Sequence, residues 1–316
     1  MRCNRSVFTV AVLFVSSLVV QAQTPNSARK YFQQGRKNFD QGNLEAALEN
    51  YSRAIEISAH PNASKLSQSD IQGSNRFDSA GETDRVSIVD PFTAIAYTNR
   101  GIVRFQQNDA EGALSDFNAA LRINPRMAEA YLGRAVCYRT KGENDAARLD
   151  FDRAISINDR LSEAYTDRAD LRMDRGEMEG ALADLTRAIA LNPRLAQAHY
   201  QLGYLHMLQD KSAEAIADFD RAIELQPKMA SAYQGRGSAW MKCGDLERAI
   251  NDFNRVIELN PEAKHAYLNR GLALLVQGKD TEAERDFERS LALDSSLKSE
   301  LERRIELANK IRKLKP

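Results

Sequence analysis

Neither sign of charge is in excess in this chain of 316 residues: 44 Lys and Arg stand against 44 Asp and Glu, so no overall field points to nucleic acid. Catalytic signatures are missing as well. No GxSxG, P-loop, dinucleotide fingerprint or HExxH occurs, so an enzyme reading has no constellation of residues to rest on. Histidine is limited to four residues, of which His199 and His206 share one helix face without a third ligand at metal-binding spacing. They are read as core or partly exposed residues, and the carboxylates as solvated faces. Long apolar runs are absent except for Val7 to Val20, whose fourteen residues fall short of the roughly 20 that a membrane span needs. With Arg2 and Arg5 before it and Gln21-Ala22-Gln23 after it, that run has the layout of a secretory signal cleaved after Ala22. An uncleaved anchor is the alternative. Cleavage removes Cys3 and leaves a formal balance of 42 basic to 44 acidic side chains.

What the chain does have is a period. Gly101, Ala135, Ala169, Gly203, Gly237 and Gly271 stand 34 residues apart, and each is followed twelve residues later by Ala113, Ala147, Ala181, Ala215, Ala249 or Ala283. Apolar or small residues recur at three and four around them, which predicts pairs of amphipathic helices joined by turns. Small residues at two fixed points let the helices of a pair approach closely, and repetition makes a quasi-one-dimensional stack. Asn124-Pro125, Asn192-Pro193, Gln226-Pro227 and Asn260-Pro261 are expected to stop the second helix of a pair, because proline lacks an amide and restricts the residue before it. Cys137 and Cys243 lie 106 residues apart, about three repeats, too far along a stack for a disulfide. Both are read as free, packed thiols. Trp240 is placed at a core position.

The pattern resembles the tetratricopeptide repeat in its aromatic, glycine, alanine and terminal proline positions, and the frame recurs in register six times. A looser copy at Ala28, with Tyr31, Gly35, Ala47, Tyr51 and Ala54, makes seven. The resemblance implies an all-α fold, a right-handed superhelical solenoid of about seven antiparallel helix pairs with a C-terminal capping helix. The divisions are a signal peptide at 1–22, a first repeat at 23–59, a flexible insert at 60–90, and repeats at 94–127, 128–161, 162–195, 196–229, 230–263 and 264–295. A capping helix and basic tail at 296–316 close the array. The insert is polar and aperiodic, a surface loop or else a flap over the groove, and Asp90-Pro91 is expected to restart helix after it. In the tail, Leu297, Leu301, Ile305, Ala308, Ile311 and Leu314 form an apolar stripe suited to covering the last repeat.

The chain departs from the family where an apolar residue is usual. Arg100, Arg134, Arg168, Arg236 and Arg270 occupy that position, and sixteen residues on stand Asp116, Asp150, Asp184, Asp252 and Asp286. The first copy has Gln34 and Asn50 in both places, so cation and anion are lost together. Direct Arg-Asp pairing in a partly buried seam is expected; if both instead face water, each pair contributes little. Leu202 in the fifth repeat leaves Asp218 without its arginine.

In the family, the first helix of each repeat lines a concave groove. Position by position this implies a partner-binding groove containing Glu163, Asp170 and Met173, then Tyr200, Tyr204 and Met207, then Gln234, Met241 and Leu268. Its fourth repeat is acidic and its fifth aromatic and apolar, the chemistry of an anchor region, although the C-terminal helix is an alternative cover for the apolar residues of repeat seven. The set of side chains by which some relatives clamp a terminal carboxylate is matched only by Asn99. The expected function is therefore an exported, non-enzymatic scaffold binding a protein or peptide segment with a basic stretch. No cofactor, metal or nucleic acid is called for, and membrane contact would come only through an uncleaved signal. A self-associating envelope component and a glycan- or peptidoglycan-binding module are the other readings.

Overall fold

A computed structural model describes residues 24–59 and 91–314. The stretch read as a signal, the 60–90 segment read as an insert and the last two residues lie outside them. Among the described residues there are fifteen α-helices and no strand, and the chain divides into two compact units at Asp167 and Arg168.

In the first unit α1 (Asn26–Asp40) pairs with α2 (Leu44–Ala59), α3 (Pro91–Gln106) with α4 (Ala110–Ile123), and α5 (Ala128–Lys141) with α6 (Asn144–Ile157). Each second helix also packs on the first helix of the next pair, α2 on α3 and α4 on α5. The helix α7 (Ser162–Asp174) carries the division. In the second unit α8 (Met178–Leu191) leads to three further pairs: α9 (Ala196–Leu208) with α10 (Ser212–Leu225), α11 (Ala230–Lys242) with α12 (Leu246–Leu259), and α13 (Lys264–Val276) with α14 (Asp280–Leu293). A short 3-10 turn, Ser295–Leu297, then leads into α15 (Lys298–Leu314).

The small residues of the period have a visible partner. A Cβ added to Gly101 would lie 2.9 Å from the Phe117 ring, and one added to Gly203, Gly237 or Gly271 would meet Phe219, Phe253 or Phe287 at 2.6 to 2.9 Å. In each of these repeats an aromatic ring from the second helix thus presses against the backbone of the first. Phe117, Phe151, Phe219 and Phe253 are buried there, each removing an aromatic side chain from water. Gly133 and Gly235 extend the same contact into the following repeat, where they also meet Phe117 and Phe219.

Helix ends follow local chemistry. The Asp109 and Asp245 side chains accept from the backbone amides of Gly112 and Arg248, capping α4 and α12. Asparagine closes the second helix of several pairs, with or without a proline after it. Asn124, Asn158, Asn192 and Asn260 turn extended, and each side-chain oxygen accepts from the amide two residues on at 3.0 to 3.1 Å. Asn158 does this with no proline following, and Asp294 does the same at the end of α14.

Candidate functional site

Two constellations recur along the helices. The first is the Arg-Asp seam. Arg100 donates through Nε and Nη2 to both carboxylate oxygens of Asp116, at 2.9 and 2.7 Å. Arg134 meets Asp150, Arg168 meets Asp184, Arg236 meets Asp252 and Arg270 meets Asp286 with the same two-pronged geometry, all between 2.6 and 2.9 Å. The remaining nitrogen reaches back one repeat. Nη1 of Arg100 donates to Ser52, that of Arg134 to Asn118, that of Arg236 to Asp220 and that of Arg270 to Asn254. Each of these guanidinium groups therefore joins both helices of its own repeat and the second helix of the repeat before. The aspartates are 1 to 6% exposed, so the pairs are of the desolvated, geometrically fixed kind and not screened surface pairs. The hydrogen bonds to Asp252 raise the Arg236 pKa above the ordinary arginine range, against the cost of burial.

A tyrosine three residues before the arginine completes the rung. The Arg100, Arg134, Arg236 and Arg270 guanidinium groups lie 5.2 to 5.6 Å from the ring centres of Tyr97, Tyr131, Tyr233 and Tyr267. Sequence reasoning missed this, although the Tyr-x-x-Arg spacing is legible. The fifth repeat loses tyrosine and arginine together. It has His199, whose Nε2 donates to the Pro193 carbonyl at 3.1 Å, where Tyr233 and Tyr267 reach the carbonyls of Pro227 and Pro261. The expectation that Leu202 strands Asp218 is corrected. His206 Nδ1 lies 2.7 Å from Asp218 Oδ2, one helical turn after Leu202, at the place from which Arg104 and Arg172 give Asp116 and Asp184 a second cation. Both histidines thus have structural partners. Cys137 is buried, which pushes its thiol up to about 12, but Cys243 is exposed and not packed as expected. Trp240 is only partly buried, with the Arg248 guanidinium 4.6 Å from its ring centre.

The second constellation is the face of the first helices that carries the positions read as the groove. Its outline is set at the end of the chain, where α15 lies on α13. Leu268, Leu272 and Leu275 of α13 cluster with Leu297, Leu301 and Ala308, with Ile305 partly buried beside them. Leu268 is 0% exposed, so it is a core residue and not a partner contact. Met241 packs against the same cluster. Met173 is likewise corrected from groove to core, 6% exposed among Ala169, Ala181, Leu185 and Leu205. Tyr200 is partly buried with its ring 5.9 Å from Phe219, and burial pushes its phenol up to about 12. Met207 and Gln234 are partly buried, and Glu163, at the start of α7, accepts from Ser162 Oγ at 2.9 Å. What stays open on α9 is Tyr204, 47% exposed, and Leu208, 46% exposed, one turn apart. Asp170 and the exposed Asp174 occupy the corresponding positions of α7, and Asp170 is close enough to raise the Tyr200 pKa. On α15 the expected stripe is split: Ile311 faces outward with Leu307.

Among the described residues no group of three or more His, Cys, Asp or Glu could hold a metal ion, and no helix is long and apolar enough to cross a membrane.

Helical hairpins that repeat at a fixed interval, each locked by an aromatic ring on a small residue and joined to the next through a shared seam, define the class of helical repeat arrays. Residues 86–162, 169–210 and 202–268 match models of the tetratricopeptide repeat, together more than half of the chain. The chain belongs to the tetratricopeptide repeat superfamily. Among solved structures, a tetratricopeptide repeat protein from Parabacteroides merdae aligns with 90% of this chain and 99% of its own, at 20% identity and a TM-score of 0.57. The structure of the APC/C hetero-tetramer Cut9-Hcn1 aligns with 88% of this chain and 52% of its own, at 20% identity and a TM-score of 0.64. Pseudomonas aeruginosa pilF aligns with 65% of this chain and 90% of its own, at 20% identity and a TM-score of 0.56. At such identities the likeness is one of fold. A search of curated proteins found no match. Tetratricopeptide proteins generally act as protein-interaction scaffolds, and their fold is typically non-enzymatic.

Proposed function

We propose that this chain is an exported scaffold that binds a segment of a partner protein along its inner helix face, with the contact centred on α9. The observation that carries the reading is the pair Tyr204 and Leu208. Equivalent apolar side chains on α13 are covered by α15, whereas these two are left in solvent. Exposed aromatic and aliphatic anchors next to carboxylates suit a partner that brings apolar and basic side chains. Crosslinking in the native compartment, followed by mass spectrometry, tests the reading. A captured partner is expected to be lost from the Tyr204→Ala, Leu208→Ala double variant, and full retention would remove this site. Export is read from the amino-terminal layout, and sequencing the mature protein from the extracytoplasmic fraction is expected to give a start at Gln23. A second reading draws on Leu307 and Ile311, exposed one turn apart on α15. They suit self-association, which a rise in mass with concentration, lost in Leu307→Ser with Ile311→Ser, would reveal.

A further inference from the structure

The terminal helix shows what the inner face can hold. On α13 the row Leu268, Leu272, Leu275 has the spacing i, i+4, i+7, and it is covered by Leu301, Ile305 and Ala308, which have the same spacing on α15. Polar contacts hold that docking: Arg304 Nη2 donates to Asn269 Oδ1 at 2.8 Å, and Arg312 Nη1 donates to Asp280 on α14.

The fifth repeat carries the same spacing with no helix laid over it among the described residues, and Tyr204 and Leu208 are left in solvent while Tyr200 and Met207 are partly buried. Two repeats of 34 residues before Leu268, Leu272 and Leu275 stand Tyr200, Tyr204 and Met207 on α9, followed by Leu208. The residue that corresponds to Asn269 is Gln201, which is 4% exposed. Its Oε1 is buried with no hydrogen-bond partner, whereas the Asn269 oxygen has the Arg304 guanidinium. A buried carbonyl oxygen without a donor is an uncommon feature, and a ligand that supplies one removes its cost. Asp170 and Asp174 on the neighbouring α7 add negative charge beside the row.

Resting on the groove reading above, we infer that the α9 row receives an amphipathic, basic α-helix of a partner protein, apolar at i, i+4 and i+7, with an arginine directed at Gln201. The docking is that of α15 on α13, transposed by two repeats. Apolar area supplies the contact, the guanidinium satisfies the Gln201 oxygen, and the aspartates select for net positive charge.

The probe is a fluorescent peptide of residues 298–314, whose docking face is that of α15, added to the full chain and read by anisotropy. It is expected to bind saturably, and Tyr204→Ala with Leu208→Ala in the chain is expected to weaken it about tenfold or more. Arg304→Met in the peptide is expected to weaken binding about tenfold on the parent chain and to change little on a Gln201→Leu chain. The first of these two comparisons uses the unaltered chain, so it stands whether or not the Gln201→Leu variant folds. Absence of saturable binding overturns the inference. So does binding that ignores Tyr204 and Leu208, which would mean that the peptide competes with α15 on α13, and so does equal affinity for the Arg304→Met peptide. A peptide that fails while a crosslinked partner still requires Tyr204 and Leu208 overturns the helix assignment and leaves the groove reading in place.

Discussion

Replacing Arg236 by leucine puts into the sixth repeat the residue that the fifth already has at Leu202, and the seam predicts a very different result there. Arg236 gives two hydrogen bonds to Asp252 and one to Asp220, over the ring of Tyr233. With the arginine gone, Asp252 keeps its burial, 5% exposed. His206 supplies Asp218 in the fifth repeat, but the corresponding residue in the sixth is Trp240, which offers no charge. The carboxylate must then stay charged without its partner or take up a proton. Holding a proton costs about 1.4 kcal/mol for each pH unit above the ordinary carboxylate range, or about 4 kcal/mol at pH 7 and about 1.5 at pH 5. That sets a ceiling near the roughly 3 to 5 kcal/mol found when one member of a buried pair is removed. The sign follows from the direction of the shift. Burial already holds the Asp252 carboxyl above its ordinary value against the Arg236 hydrogen bonds, and in the variant the folded-state pKa rises further, so the stability that the protonated group contributes is present at low pH and is lost as pH rises. Urea unfolding should therefore show a loss of about 3 to 4 kcal/mol at pH 7 that shrinks to about 1 to 2 at pH 5, and Arg236→Leu with Asp252→Leu should cost less than Arg236→Leu alone. A loss below about 1 kcal/mol, independent of pH, would class the rung with exposed ion pairs and refute the reasoning.

Other outcomes follow from the same contacts. Gly133→Ala drives a Cβ into the buried Phe117 ring, and thermal unfolding should show a loss of about 1 to 3 kcal/mol from overpacking. A thiol reagent at neutral pH should label Cys243 in the folded protein and reach Cys137 only on unfolding, since burial holds Cys137 as the thiol. Tyr200, raised to about 12 from an ordinary 10, binds its proton more tightly when folded. Its contribution to stability should be complete below pH 10 and disappear as pH rises from 10 to 12, and Tyr200→Phe should flatten that limb of a denaturation series.

Much of the architecture was legible because the period is set by backbone packing. Gly101 or Gly271 must be small wherever an aromatic ring crosses the helix, and a 34-residue interval repeats that demand along the chain. The Arg-Asp seam could be read for a related reason: its two members vary together, as Gln34 and Asn50 do. Its third arm could not. Ser52, Asn118, Asp220 and Asn254 share a position but no charge, so nothing in one sequence marks them as the acceptors of Nη1. The groove was the least legible part, because helix spacing gives a face and not what lies on it. Leu268 and Tyr204 stand on the same face of their helices, and only the path of α15 makes one a core residue and leaves the other in solvent. The pairing of His206 with Asp218 was missed for a local reason. It occupies an apparent core position, yet the missing arginine at 202 gives its ring a carboxylate to meet.

Removing α15 separates cover from stack. In a linear array, stability is the sum of each repeat's own terms and its contacts with its neighbours, so damage at one end is felt mainly there. Truncation after Leu297 uncovers Leu268, Leu272 and Leu275, each worth about 1.5 to 3 kcal/mol when fully buried, and it removes the Arg304 to Asn269 and Arg312 to Asp280 contacts as well. The seventh repeat would lose on the order of 5 kcal/mol, a large part of what a whole domain holds in reserve. Amide exchange should then rise across α13 and α14 while α9 and α10 keep their protection, because the Phe219 ring on Gly203 and the Arg236 bond to Asp220 that hold them are untouched. Unchanged protection in α13 would mean that the helix is an appendage and not the cover of the array. Loss of protection in α9 as well would mean that the repeats unfold as one cooperative block, and the nearest-neighbour description would then fail for this chain.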